Sequence, residues 1–142
     1  MSVESTREAM ERYWVKDDLS VVAEDAVYTD TSTGRDWVGR DKVSELLEFM
    51  YRRAFDGSFK TLSRIVGDGQ AVIEGRFQGR HIGDFLGVAP TGRDVDAPIC
   101  VVYDLEDDRI KRARVYLQTY VVLQQLGAIP AAAGRSASAS NA

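Results

Sequence analysis

A chain of 142 residues with 44% hydrophobic residues has the size of a single domain, burying about two-thirds of its unfolded surface in one core. Its 18 basic and 22 acidic residues leave a formal charge of -4, which offers no cationic footprint for nucleic acid. The first residues show neither a basic nor an apolar leader region and no run reaches membrane-spanning length, so a soluble cytoplasmic protein without a membrane partner is expected.

Residues 4–14 carry helix formers with Met10, Tyr13 and Trp14 at apolar positions, which predicts an amphipathic helix capped by Ser2 or Ser5. Asp17 or Asp18 can cap a short helix over 19–23, and the alternation in AVYT predicts a strand ending at Asp30. TSTGRDW, 31–37, reads as a loop. From Gly39, the residues Val43, Leu46, Leu47, Met50 and Phe55 recur at helical spacing opposite charged positions, and FDGS, 55–58, reads as the turn that ends this helix. The period then changes. Residues 59–66, 71–80, 95–105 and 109–118 are strands separated by turn signals, and 119–126 forms a last helical turn with Leu123 and Leu126 inward.

Helices first and long hairpin-connected strands after make an α+β arrangement, with helices laid across one face of a curved antiparallel sheet. An open-ended wedge remains between the layers, a common place for ligands. Cys100 has no partner for a disulfide and lies in an apolar strand, which predicts a buried thiol. After Pro130 the composition collapses to Ala, Ser and Gly, so the domain is assigned to 1–129 and a disordered tail to 130–142.

The stretch HIGDFLGVAPTGR, 81–93, lies between two of these strands and contains the one histidine. Gly79, Gly83, Gly87 and Gly92 let its backbone turn repeatedly, Pro90 fixes a corner, and Phe85, Leu86 and Val88 supply apolar anchors, which predicts a packed lid or rim. The string resembles the H-x-G-x-F-x-G-x-P/A-T-G-R/K signature of SnoaL-like proteins. These are the polyketide-cyclase group within the superfamily of nuclear transport factor two and bacterial ketosteroid isomerase. QQLG at 124–127 matches the habitual end of that family, and the likeness spans roughly residues 8–127. It implies a cone-shaped mixed sheet wrapped around helices, as in nuclear transport factor two, and cofactor-free chemistry in secondary metabolism such as antibiotic biosynthesis.

Period two along 109–118 puts Ile110, Arg112, Arg114, Tyr116 and Gln118 on one face and Lys111, Ala113, Val115 and Leu117 on the other. The polar reach of Arg114, Tyr116 and Gln118 suits a polar-floored pocket, although Arg114 could equally ion-pair with a neighbouring strand. Val115 and Leu117 would then form an apolar outer face. Members of the resembled family associate through that sheet face, and a homodimer or higher homo-oligomer is expected.

The resemblance implies an acid/base aspartate at the position occupied here by Gln118, and an amide cannot exchange a proton near neutral pH. Asp30 aligns with the general base of ketosteroid isomerase; it could abstract a proton next to a carbonyl, or simply form a turn. His81 is suited by type to proton transfer, or could hold the loop by hydrogen bonds to backbone carbonyls. Trp14, Tyr28, Trp37, Phe49 and Phe85, with Tyr13 and Phe77, are the aromatics expected around the wedge, some touching substrate and the rest core. One His and one Cys without ligand spacing predict no metal, and no phosphate-cradling or nucleophile-elbow motif is present.

Two functions follow. The first is a cofactor-independent cyclase, isomerase, lyase or epoxide-opening enzyme acting on a hydrophobic, carbonyl-bearing, polyketide-like metabolite. His81, Asp30 and Gln118 would be catalytic, with Arg114 and Tyr116 on the substrate. The second is a small-molecule-binding or inactive paralogue marked by Gln118.

Overall fold

The computed structural model describes residues 1–129; the tail read at 130–142 lies outside them. Helix α1 (Val3–Lys16) opens with a reciprocal cap that uses both expected serines: Ser5 N donates to Ser2 Oγ at 3.1 Å and Ser2 N to Ser5 Oγ at 2.9 Å. Its inward stripe buries Ala9, Met10 and Tyr13. Asp18 caps a single 3-10 turn (Leu19–Val21) through Ser20 N, which feeds strand β1 (Val22–Asp30).

Residues 31–37 are not all loop. Asp30 and Gly34, the latter at φ 78°, reverse the chain within four residues, and strand β2 (Arg35–Val38) pairs antiparallel with β1. Helix α2 (Arg40–Glu48) continues into a five-residue π-helical segment (Phe49–Arg53), closed by Ala54 N donating to Phe49 O at 2.7 Å. Strand β3 (Phe55–Val66) starts at once, so FDGS is strand and not turn. Gly57 is there because the Phe77 ring packs on it: a Cβ would sit 3.2 Å from Phe77 Cε1. Strands β4 (Gln70–His81), β5 (Asp94–Glu106) and β6 (Arg109–Leu117) and helix α3 (Thr119–Gln125) complete the chain.

Among the described residues the strands form one six-stranded open sheet in the order β2-β1-β6-β5-β4-β3. All pairings are antiparallel except β1 with β6, which is parallel. With its three helices this is the α+β fold of nuclear transport factor two. Strict alternation in β5 sends Val95, Ala97, Ile99, Val101, Tyr103 and Leu105 into the core. Cys100 falls on the opposite face and is only half-buried, contrary to the expected core thiol; partial burial and the Glu74 carboxylate push that thiol up. Among the described residues no helix is long and apolar enough to cross a membrane.

The two sequence motifs are structural ties. Gln125 of QQLG accepts from Asp96 N at 2.7 Å and donates to Asp96 O at 2.9 Å, binding α3 to β5, and Leu126 is buried beside it. Gly127, at φ 76°, leaves room for the Arg93 guanidinium of PTGR: a Cβ would lie 3.1 Å from Arg93 Cζ.

Candidate functional site

A cavity of about 1190 Å³ lies between the inner face of the sheet, α1, and α2 with its π-helical extension. Tyr13 from α1, Tyr28 from β1 and Tyr103 from β5 all line it. Their rings meet edge to face, Tyr13–Tyr103 at 5.9 Å and Tyr28–Tyr103 at 6.4 Å between centroids. Tyr28 donates its hydroxyl hydrogen to Tyr13 Oη at 2.8 Å, which leaves the Tyr13 hydrogen to be given elsewhere. Trp14 packs edge-on against Tyr103 at 5.9 Å with its Nε1 buried, and the indole N–H beside the Tyr103 oxygen partly offsets the rise that burial causes there.

Burial is the main force on these phenols. It pushes Tyr13 up to about 12, with the Tyr28 hydrogen bond pulling partly the other way, and lifts Tyr28, Tyr51 and Tyr103 well above the ordinary tyrosine value. All four are neutral donors at physiological pH. The sign of the stability effect follows: a Tyr13 that ionises at 10.0 in the unfolded chain and about 12 in the fold contributes stability fully present below pH 10.0 and lost as pH rises through about 12. Denaturant midpoints should therefore fall between about pH 9 and about pH 11, with phenolate absorbance rising as the protein unfolds.

Much of the wall is apolar, with Leu46, Leu47 and Met50 on the helical side and Ile99, Val101, Val115 and Leu117 on the sheet side, and charged groups including Asp17, Glu48, Asp56, Arg64 and Asp84 also border it. Phe49 and Phe85 stack at 6.5 Å, and Arg35 lies 3.8 Å over Trp37. Asp30 ends β1 on the same cavity. Its Oδ1 accepts from Ser32 N at 3.0 Å and Ser32 Oγ at 2.7 Å, and its Oδ2 from Thr33 Oγ1 at 3.0 Å. Asp30 is thus both the turn former and a cavity carboxylate, and of its roughly four lone-pair sites one on Oδ2 is open.

The structure brings Asp30, Trp14, Tyr28, Trp37, Phe49 and Phe85 to this cavity, and not His81, Arg114, Tyr116 or Gln118. On β6 the alternation of 112–118 holds, but its apolar face and not its polar one turns inward, and a bulge brings Ile110 to the same side. Leu105 pairs with Ile110 but Asp104 with Arg112, so Lys111 is an extra residue and Ile110 and Ala113 both turn inward. Beyond it Val115 and Leu117 face the cavity, the reverse of the expected polar floor, and they present no outer apolar face. Arg114 instead donates to Asp104 Oδ2 at 2.6 Å on the far side of the sheet. Tyr116 is 43% exposed there. Gln118 is exposed too, its N–H given to Pro98 O while its carbonyl receives Val122 N at the start of α3. Arg114→Ala should cost about 1 kcal/mol of stability or less, as a half-exposed ion pair does, and leave ligand binding unchanged in a calorimetric comparison.

His81 is fully buried on the inward face of β4 and engages the loop that follows it. Tyr51 and Tyr103 join the expected aromatics on the cavity wall. The alternation of 95–105 does place Tyr103 in line with Ile99 and Val101, so its direction was legible. That three phenols from separate elements meet is a property of the fold. Among the described residues no group of three or more His, Cys, Asp or Glu is placed to hold a metal ion.

The model of the SnoaL-like polyketide cyclase family matches residues 2–126. No curated protein matches the chain. Among solved structures, a candidate SnoaL-like polyketide cyclase from Jannaschia sp. CCS1 superposes with a TM-score of 0.78 at 18% identity, covering 89% of this chain and 94% of that one. AclR, a candidate hydroxylase from Streptomyces galilaeus, gives 0.72 at 21% identity over 97% and 88% of the two chains. IdmH, a candidate polyketide cyclase from Streptomyces antibioticus, gives 0.66 at 21% over 89% and 99%. At these identities the structures speak for the fold alone, while the family match covers nearly the whole domain: the chain belongs to the SnoaL-like polyketide cyclase family.

Proposed function

We propose that the cavity is the active site of a cofactor-independent cyclase- or isomerase-type enzyme acting on a hydrophobic, carbonyl-bearing, polyketide-like metabolite. The observation that carries this reading is the neutral phenol cluster inside a largely apolar cavity, with the Asp30 carboxylate on the same cavity. Membership in a family of polyketide cyclases supports it.

In this reading Asp30 Oδ2 takes a proton from the carbon next to the substrate carbonyl. The C–H electron pair moves into a C=C bond, and the carbonyl π pair onto oxygen, where the Tyr13 O–H meets the growing charge. The enolate carbon then attacks a second carbonyl carbon of the same chain, closing a ring; the first carbonyl re-forms, the π pair of the second moves onto its oxygen, and that oxygen takes the proton held by Asp30. In the isomerising variant the enolate takes the proton back from Asp30 at another position. Apolar walls hold a flexible chain folded so that the two carbons approach.

The test is hydrogen exchange into α-deuterated tetralone. The native protein should accelerate loss of the label, and Asp30→Asn should lose on the order of 10²-fold of that rate. A second reading, binding without turnover, is favoured by one finding: neither Gln118 nor His81 reaches the cavity. Saturable tetralone binding with no exchange above the solvent rate would select it.

A further inference from the structure

The loop at 82–93 contributes Asp84, Phe85, Leu86 and Gly87 to the cavity wall. Its start is pinned to the end of the π-helical segment, where Ile82 N and Gly83 N both donate to Ala54 O at 2.9 and 3.0 Å. Gly83 presses so closely on the Arg53 carbonyl that a Cβ there would collide with it. Its far end returns to His81: His81 N donates to Arg93 O at 2.8 Å and Gly92 N to His81 O at 3.0 Å.

Between these backbone ties sits the imidazole. Thr91 N donates to His81 Nδ1 at 3.1 Å, and Thr91 Oγ1 lies 3.0 Å from the same nitrogen. Oγ1 also accepts from Arg93 N at 3.2 Å, so its own hydrogen is available to Nδ1. A ring nitrogen that receives an N–H must carry its lone pair there, which fixes the proton on Nε2. Nε2 is buried without a hydrogen-bond partner, and the ring packs against Phe55 at 5.3 Å. Phe55 in turn meets Phe85 edge-on at 5.1 Å. The imidazole is therefore shielded from the cavity by the wall that its loop provides.

We propose that His81 is a positioning residue. As the Nε2–H tautomer it accepts the Thr91 amide and so latches the loop at 82–93, holding Phe85 as a fixed wall of the cavity. The link to substrate rests on the reading of that cavity as the active site; the latch itself does not.

Because the chain has one histidine, long-range nitrogen–proton NMR reads its tautomer without assignment. Nδ1 is expected at the shift of an unprotonated nitrogen and Nε2 at that of a protonated one. Amide exchange at Thr91 should quicken about tenfold in His81→Ala, the equivalent of one neutral hydrogen bond, and return toward the native rate in His81→Asn, whose side-chain carbonyl can replace Nδ1 as acceptor. Tetralone titration, followed at the Phe85 amide, should show affinity weakened in the alanine variant and rescued by asparagine. A protonated Nδ1 in the unaltered protein, or Thr91 exchange untouched by His81→Ala, overturns the latch. The tautomer is read on the native chain, so it decides even where the alanine variant does not fold. Tetralone that fails to bind the native protein counts against the active-site reading alone, since tautomer and exchange still judge the latch.

Discussion

Tyr13→Phe is expected to lower turnover of the proposed reaction by about 10²- to 10³-fold, the loss typical of removing one donor from a developing oxyanion. Tyr13 is selected over its neighbours by the direction of its hydrogen bonds. Its oxygen already receives the Tyr28 hydrogen at 2.8 Å, so its own hydrogen is the one left to give. The donated bond from Tyr28 also stabilises negative charge on Tyr13 relative to an isolated phenol, making its O–H a stronger donor than burial alone would allow. Stability should fall by only about 1 to 3 kcal/mol, since the change strands one buried hydroxyl, that of Tyr28. Tyr28→Phe should weaken turnover less, because it tunes the donor without removing it. Single-turnover rates on tetralone exchange, measured beside denaturation curves, separate the two effects. Native-level turnover by Tyr13→Phe would remove the phenol from the mechanism.

The second large effect is on stability. Phe55 is fully buried at the point where the π-helical segment becomes β3, touching Phe77 at 5.1 Å, Phe85 at 5.1 Å and His81 at 5.3 Å between ring centroids. Phe55→Ala removes the ring that these three groups share, and truncations of this kind cost about 3 to 5 kcal/mol. Against a total of roughly 5 to 15 kcal/mol for a domain, that is a large fraction. Urea unfolding should show the midpoint shifted with its slope unchanged. A loss below about 1 kcal/mol would mean that the aromatic cluster is not packed as described. The same variant should loosen the loop at 82–93, because Phe85 loses its edge-to-face partner.

Much of the fold is legible in the residues because one face of each element is apolar at its natural period. The alternation from Val95 to Leu105 gives β5 and its inward face directly, and the spacing of Val43, Leu46 and Leu47 gives α2. The motif residues point to the right loop. What fails is local. On β6 the alternation of Ala113, Val115 and Leu117 against Arg114 and Tyr116 holds, but the apolar face and not the polar one turns inward, so Arg114 and Tyr116 as pocket groups land on the wrong side; the Lys111 bulge moves only Ile110 to the inward set. Gly57 looks like a turn residue and is a strand residue that makes room for Phe77. The four-residue strand β2 is too short for any periodicity to announce it. Gln118, a site position by both alternation and resemblance, is the residue before α3 and lies exposed to solvent.

The parallel joint between β1 and β6 sets the order in which the protein can be made. From β3 onward each strand lies beside its successor, so that part can assemble as the chain emerges from the ribosome. The first strand cannot: its partner is far along the chain, and the tie from Thr31 to the Val115 carbonyl spans 84 residues. Until the last strand has been synthesised, the amino-terminal third has no place in the sheet, and Tyr28 waits outside the aromatic cluster it will complete. The chamber is thus closed by the final strand, which keeps a half-built protein from presenting a finished site.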